Sequence, residues 1–272
     1  MKTSTFIKRT ITVLIMIPIA IWLILGTSIF AFEVVSAVFC LGAAWEWATL
    51  IGVKTKVNRL IYMILMLAAL SIVQFIPFIY ILWLGSAWWL VAIFVLLHYV
   101  KTQTKQQVFF ISAVMGFFAI VPCWVGLNSL RGGPRGAEIL LFFFFLLWAI
   151  DTGAYLFGMC FGKRKLAPRL SPGKTIEGVV GGFLFMLLFL ILGIWMLHIP
   201  ERHWLPLFIM VIVMMIFSII GDLFESMLKR KCNVKDSGSI MPGHGGFLDR
   251  MDSALAAAPV FALAVLLTGL GS

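Results

Sequence analysis

Trp204-Leu-Pro-Leu-Phe-Ile-Met-Val-Ile-Val-Met-Met-Ile-Phe-Ser-Ile-Ile-Gly-Asp222 is the stretch that decides the architecture. Between Trp204 and Gly221 the only side chain with an oxygen is Ser218. Wound as an α-helix at about 1.5 Å per residue, such a run covers roughly the 30 Å hydrocarbon thickness of a bilayer. It has no polar face for water and no apolar–polar alternation. Neither an amphipathic surface helix nor a barrel strand reads this way. The run stops on a carboxylate, Asp222, and the chain beyond it turns polar at once.

Working outward, similar apolar segments fall at 10–27, 29–51, 60–76, 79–99, 108–128, 138–159, 178–197 and 253–270. With 204–222 these make nine. The break near Ile76-Pro77 is the weakest, and merging across it leaves eight. Of the 272 residues, 62% are hydrophobic and 12% charged. That excludes a soluble globular domain, whose surface would have to hide too much apolar area, and equally a disordered or fibrous chain. The predicted fold is all-α: a polytopic integral membrane protein with about nine transmembrane helices. Lys2, Lys8 and Arg9 precede the first apolar segment, and no small-residue cleavage site follows it. This is a retained span rather than a removed signal.

The net charge is +10. With the N-terminus cytoplasmic and the spans alternating, eighteen Lys and Arg fall on the inner side and three, Arg131, Arg135 and Arg202, on the outer side. Positive residues gather on the cytoplasmic side of membrane proteins, so the split supports this orientation. The basic balance therefore points to an anionic leaflet, with no nucleic acid as partner. Cys40, Cys123, Cys160 and Cys232 lack the spacing of a zinc site or disulfide framework.

The chain divides in character. Residues 1–147 form an N-terminal scaffold of membrane helices with short loops and few ionisable groups. Residues 148–272 form a C-terminal membrane region with two polar inner loops, 163–177 and 223–252. Carboxylates at membrane depth are costly and mark function. Asp151, Glu177, Asp222, Glu225, Asp236, Asp249 and Asp252 all gather at the inner face, and Glu46 ends the second span between Trp45 and Trp47. If the helix through Asp222 continues, then Asp222, Glu225, Ser226 and Lys229 share one face. Gly243, Gly245 and Gly246 let a backbone approach a ligand closely. Asp249 and Asp252 open the last helix, where one of them could serve only as a cap. Asp222 and Asp249 together suit Mg²⁺, which takes one or two carboxylates plus waters and substrate phosphates.

The other inner loop runs Lys163-Arg-Lys-Leu-Ala-Pro-Arg169-Leu-Ser171-Pro-Gly-Lys174-Thr175 into a helix. Gly173-Lys174-Thr175 looks like the end of a P-loop. The full motif needs Gly where Pro168 stands and a preceding strand, so that reading is rejected. A basic loop leading into a helix N-terminus remains, capped from within Ser171 to Thr175 and suited to an anion.

The pattern Ser226-x-Leu228-Lys229-Arg230-x4-Lys235-Asp236-x-Gly238-x3-Pro242-x-His244-Gly245-Gly246-Phe247-x-Asp249-Arg250-Met251-Asp252 resembles the signature of phosphatidate cytidylyltransferases. Met241 is a mild departure, standing where that family has Leu, Ile or Phe. The run from Trp148 through Asp151-Thr152-Gly153-Ala154-Tyr155 to Ser171-Pro172-x-Lys174-Thr175-x-Glu177-Gly178 is similar to the same family, as is Ala44-Trp45-Glu46-Trp47.

The resemblance implies an enzyme that joins CTP to phosphatidic acid, giving CDP-diacylglycerol and pyrophosphate in phospholipid biosynthesis. It further implies Mg²⁺, an assisting K⁺, a homodimer, and a bacterial inner membrane with the site facing the cytoplasm. On this reading Asp222 and Asp249 hold the metal, with Asp151, Asp236 and Asp252 as second choices. Lys229, Lys235, Arg230 and Arg250 meet the triphosphate, with Ser226 beside them. His244, Gly245 and Gly246 shape the nucleotide pocket. Arg169, Ser171, Lys174 and Thr175 meet the lipid phosphate. A transporter would instead spread its acids through the membrane depth.

Overall fold

The computed structural model describes residues 17–102, 109–238 and 245–270. The described chain is a helical bundle, with helices α1 (Ile17–Gly26), α2 (Ile29–Leu50), α3 (Lys56–Val73), α4 (Phe78–Thr102), α5 (Phe109–Gly132) and α6 (Gly136–Phe161). A hairpin of β1 (Lys165–Ala167) and β2 (Ser171–Thr175) follows, then α7 (Ile176–Met196), α8 (Trp204–Lys231) and α9 (Leu248–Thr268). Eight helices, α2 to α9, are long and apolar enough to span a membrane among the described residues. The expected ninth, at 10–27, is described only from Ile17 as a shorter apolar helix. The break near Pro77 is real: α3 ends at Val73 and α4 starts at Phe78.

Three helix starts are set by side-chain capping. Ser28, Thr55 and Thr175 each accept a backbone N–H three residues on, satisfying a donor the first turn would leave open. The N-terminal Gly-rich face of α7 lies against α6. An added Cβ at Gly153 would meet Gly181 O at 2.4 Å, and one at Gly178 would meet Ala154 O at 2.9 Å. In lipid, apolarity does not distinguish helix from surroundings, so close backbone approach over small residues is what holds such a pair.

The most deeply buried span is α9, whose Ala254 and Leu255 to Ala258 face helices on several sides. Pro259 has no N–H for Leu255 O, four residues earlier. Trp89 Nε1 on α4 supplies the missing donor at 3.1 Å. From α5, Gly126 backs onto Ala258. Trp47 Nε1 and Tyr62 Oη donate to Ser112 O and Ala113 O, tying α2 and α3 to α5. The helices of the N-terminal half thus embed the last helix.

Candidate active site

Several contacts bring the polar segments to one end of the bundle. Arg230 Nε donates to Leu170 O (3.0 Å), Arg169 Nη1 to Val100 O (2.6 Å), and Cys232 Sγ to Leu50 O (2.6 Å). The ends of α2, α4 and α8 and the hairpin are thereby gathered together, as an alternating path requires.

The expected loop 163–177 is an antiparallel hairpin, with Lys165 opposite Thr175 and Ala167 opposite Ser171. A strand therefore does carry Gly173-Lys174-Thr175 directly into α7, contrary to the expectation that none adjoins it. Thr175 is buried and its hydroxyl oxygen is occupied as the α7 cap. Glu177 in the first turn accepts from the amides of Lys163 and Arg164 (3.1 Å each) and from Arg164 Nε (3.0 Å), closing the hairpin base.

The continuation of α8 to Lys231 carries its polar face out of the apolar run. Asp222 is ion-paired through Oδ2 with Lys174 of the hairpin, and its Oδ1 takes the Ser226 hydroxyl at 3.5 Å. One helical turn beyond Glu225, Lys229 Nζ reaches Glu225 Oε2 (2.5 Å) and Asp249 Oδ1 (2.7 Å). Asp249 Oδ2 in turn accepts from Ser237 N, Ser237 Oγ and Gly246 N, each at 2.9 Å.

The two carboxylates are built alike. Each turns one oxygen to a lysine ammonium and has the other held by hydroxyl or amide donors. Asp151 on α6 and Asp252 on α9 interact electrostatically with Asp222, with Lys174 and with each other; Arg250 adds its field at Asp151. Asp252 also feels Glu225. Four of the five acids named as metal candidates thus fall in adjoining clusters. Asp236 and Lys235 do not: both are exposed on the loop after α8 and join no ion pair among the described residues. His244, with Pro242 and Gly243, lies outside the described residues. Arg230 braces the hairpin as well as flanking the site.

The oxygen-only donor set fits a hard cation such as Mg²⁺. Among the described residues no three His, Cys, Asp or Glu groups form a ready-made metal cage. Mg²⁺ needs none, since it keeps waters and binds substrate phosphates. The held second oxygen on each aspartate is what orients a ligating carboxylate.

Sequence reasoning placed Glu46 and Glu225 at the inner face without giving them a partner or a role, and it passed over Ser237. Glu46 on α2 accepts from Ser237 Oγ and Leu248 N, each at 2.9 Å. Glu225 balances Lys229 from a buried position, and Ser237 joins Glu46 to Asp249. The available signal was an acid between two tryptophans in an apolar segment. The partner 191 residues away was not legible.

The simple capping reading of Asp249 and Asp252 is not what the fold uses. Phe247 is the α9 N-cap residue and makes no side-chain cap bond. Among the described residues, Asp252 Oδ1 accepts from the adjacent Ser253 N (2.7 Å). Gly245 has φ of 79°, a left-handed conformation, and places its amide plane beside Asp249 Oδ2.

Known proteins share this sequence closely. The phosphatidate cytidylyltransferase of Pseudomonas aeruginosa is 38% identical over 271 residues, covering 97% of this chain and 98% of that protein. Proteins of the same name match over shorter stretches. The one from Haemophilus influenzae is 38% identical over 64% of each chain. The one from Staphylococcus saprophyticus is 40% identical over 61% of this chain and 64% of its own length. The profile of the cytidylyltransferase family matches residues 7–268, so that nearly the whole bundle, and with it the hairpin and both aspartate clusters, is accounted for by one family: this chain belongs to the cytidylyltransferases.

Proposed function

We propose that the chain transfers the cytidylyl group of CTP to phosphatidic acid. The products are CDP-diacylglycerol and pyrophosphate. The observation that carries this reading is the pairing of Asp222 with Lys174 and of Asp249 with Lys229 at one end of a membrane bundle. A soluble nucleotide and a membrane lipid must meet at such an end. The whole-length likeness to a protein named for this reaction supports it.

In the reaction an anionic oxygen of the lipid phosphate attacks the α-phosphorus of CTP. A new P–O bond forms, the bond to the β-phosphate oxygen breaks, and the electron pair leaves with pyrophosphate. The attacking oxygen is already ionised, so no strong base is needed. Catalysis rests on positioning and charge neutralisation. Lys229 and Arg250, with Arg230, meet the triphosphate, and Lys235 joins them from its exposed place on the loop after α8. Lys174, with Arg169 and Ser171 on the hairpin, meets the lipid phosphate. Thr175 supports that loop through its cap. Ser226 steadies Asp222. Gly245 and Gly246 line the nucleotide side, and the family resemblance assigns His244 to the same role.

Mg²⁺ would be held by Asp222 and Asp249, with Asp151 and Asp252 as neighbouring acids, and supplies charge stabilisation to the phosphates. Asp236 takes a smaller part, given its exposed place. The family resemblance extends the reading to K⁺ as an assisting ion, to a homodimer, and to a bacterial inner membrane with this end facing the cytoplasm.

The test is product formation by detergent-purified protein given labelled CTP and phosphatidic acid, with Mg²⁺ and then with EDTA. Mg²⁺-dependent CDP-diacylglycerol is expected. Absence of product from folded protein, with K⁺ supplied, would overturn the reading and direct the search to other CTP-dependent lipid reactions.

A further inference from the structure

Glu46 is 2% exposed and sits inside the bundle, where a carboxylate is costly unless it organises something. What surrounds it is the segment at Ser237 and Gly238, Gly246, and the start of α9, which carries Asp249. Its Oε2 accepts from Ser237 Oγ and from Leu248 N, which opens α9. Gly238 and Gly246 press against the same carboxylate: a Cβ at Gly238 would lie 2.2 Å from Oε1, and one at Gly246 would lie 2.1 Å from Oε2. Both ends of the 238–246 segment therefore close on one side chain from a helix nearly 200 residues earlier. Ser237 Oγ stands 2.9 Å from both Glu46 Oε2 and Asp249 Oδ2, so the two carboxylates share one hydroxyl. Behind Glu46, Trp47 stacks on Phe224 of α8 and is hydrogen-bonded to Ser112 O, which keeps this turn of α2 from moving.

We infer that Glu46 is a positioning residue: from α2 it clamps the two ends of the glycine loop and, through Ser237 and the start of α9, aims Asp249 Oδ1 at the cation-binding side of the site. Glu46 touches no reacting group. It acts by holding Ser237 and Gly246 where their donors fix Asp249 Oδ2, which leaves Oδ1 turned to Lys229 and the cation side of the site. This role builds on the cation-site reading above.

The experiment compares wild type with Glu46→Ala, Glu46→Gln and Ser237→Ala in detergent. Hydrogen exchange is followed in peptides spanning 237–238 and 245–249. Mn²⁺ affinity is measured by electron paramagnetic resonance, using the metal alone as probe. Glu46→Ala removes the acceptor; faster exchange at Leu248 and Gly246 and an Mn²⁺ affinity weakened by about tenfold or more are expected, the size seen when a ligand's supporting contact is lost. Glu46→Gln keeps an acceptor oxygen and the volume, and restores both readouts toward wild type. Ser237→Ala weakens Mn²⁺ binding while leaving Leu248 protected.

Wild-type exchange in Glu46→Ala overturns the inference. So does faster exchange with unchanged Mn²⁺ affinity. If Glu46→Ala does not fold, Glu46→Gln and Ser237→Ala carry the same comparison, and Mn²⁺ affinity unchanged in Ser237→Ala overturns it. Failure of the functional reading shows separately, as absence of lipid product from wild-type protein.

Discussion

Lys174, on the hairpin that precedes α7, is ion-paired with Asp222, 48 residues later on α8. The pair joins the two polar segments of the chain across the helical bundle. Its side chains are 28% and 25% exposed, so water screens the pair only in part.

Lys174→Ala leaves the Asp222 carboxylate half-buried without its cation, at a cost of about 1–3 kcal/mol. Turnover falls as a result. Because the two residues act together, the double variant Lys174→Ala/Asp222→Asn loses less than the sum of the single losses. A double-mutant cycle on kcat/KM measures this. Strictly additive losses would mean the residues act independently.

Asp222→Asn and Asp249→Asn preserve shape but remove the charge from the two aspartates that face lysines. Both lower turnover by orders of magnitude while the proteins still purify. Asp151→Asn and Asp252→Asn act from beside the site, and raise the Mg²⁺ needed for half-maximal rate by about 10–100-fold. A Mg²⁺ titration of the four variants separates the groups; Asp249→Asn with a wild-type titration would remove Asp249 from the cation site.

Two glycines in the polar segments have opposite sensitivities. A Cβ at Gly246 falls 2.1 Å from Glu46 Oε2, whereas one at Gly173 meets nothing within 4 Å. Gly246→Ala therefore disrupts the loop and abolishes most activity. Gly173→Ala stays within about twofold of wild type, as expected of a substitution into open space. A large loss in Gly173→Ala would revive a phosphate-cradling glycine loop at the hairpin.

At the α6–α7 contact, a Cβ at Gly181 would lie 2.3 Å from Phe157 and 2.6 Å from Gly153 O. Gly181→Ala must push the helices apart. Because the neighbouring strand β2 carries Lys174, the melting temperature in detergent falls by several degrees and activity declines with it. Equal stability would show that the pair has room to spread.

The membrane class, the positions of eight spans and the polar end of the chain were all legible in residue order, because each depends on local composition. A helix must satisfy its own backbone in lipid, so an apolar run of sufficient length needs no distant partner to declare itself. The pattern from Ser226 to Asp252 likewise marked Lys229 and Asp249, which the fold pairs. What residue order did not reveal was partnership. Nothing near Glu46 announces Ser237 and Leu248, and nothing near Lys174 announces Asp222. The hairpin over 165–175 was also hidden, since its strands are three and five residues long and carry no alternation. Nor did apolarity reveal that α9 is the central helix; small side chains and the carbonyl freed by Pro259 put it there. Local chemistry determined which segments are apolar enough to enter the membrane and where along the chain the ionisable groups lie. Only the packing of α2, α8, α9 and the hairpin decided which charge faces which, because ion pairs and shared hydrogen bonds depend on distances of a few ångströms between residues far apart in the chain.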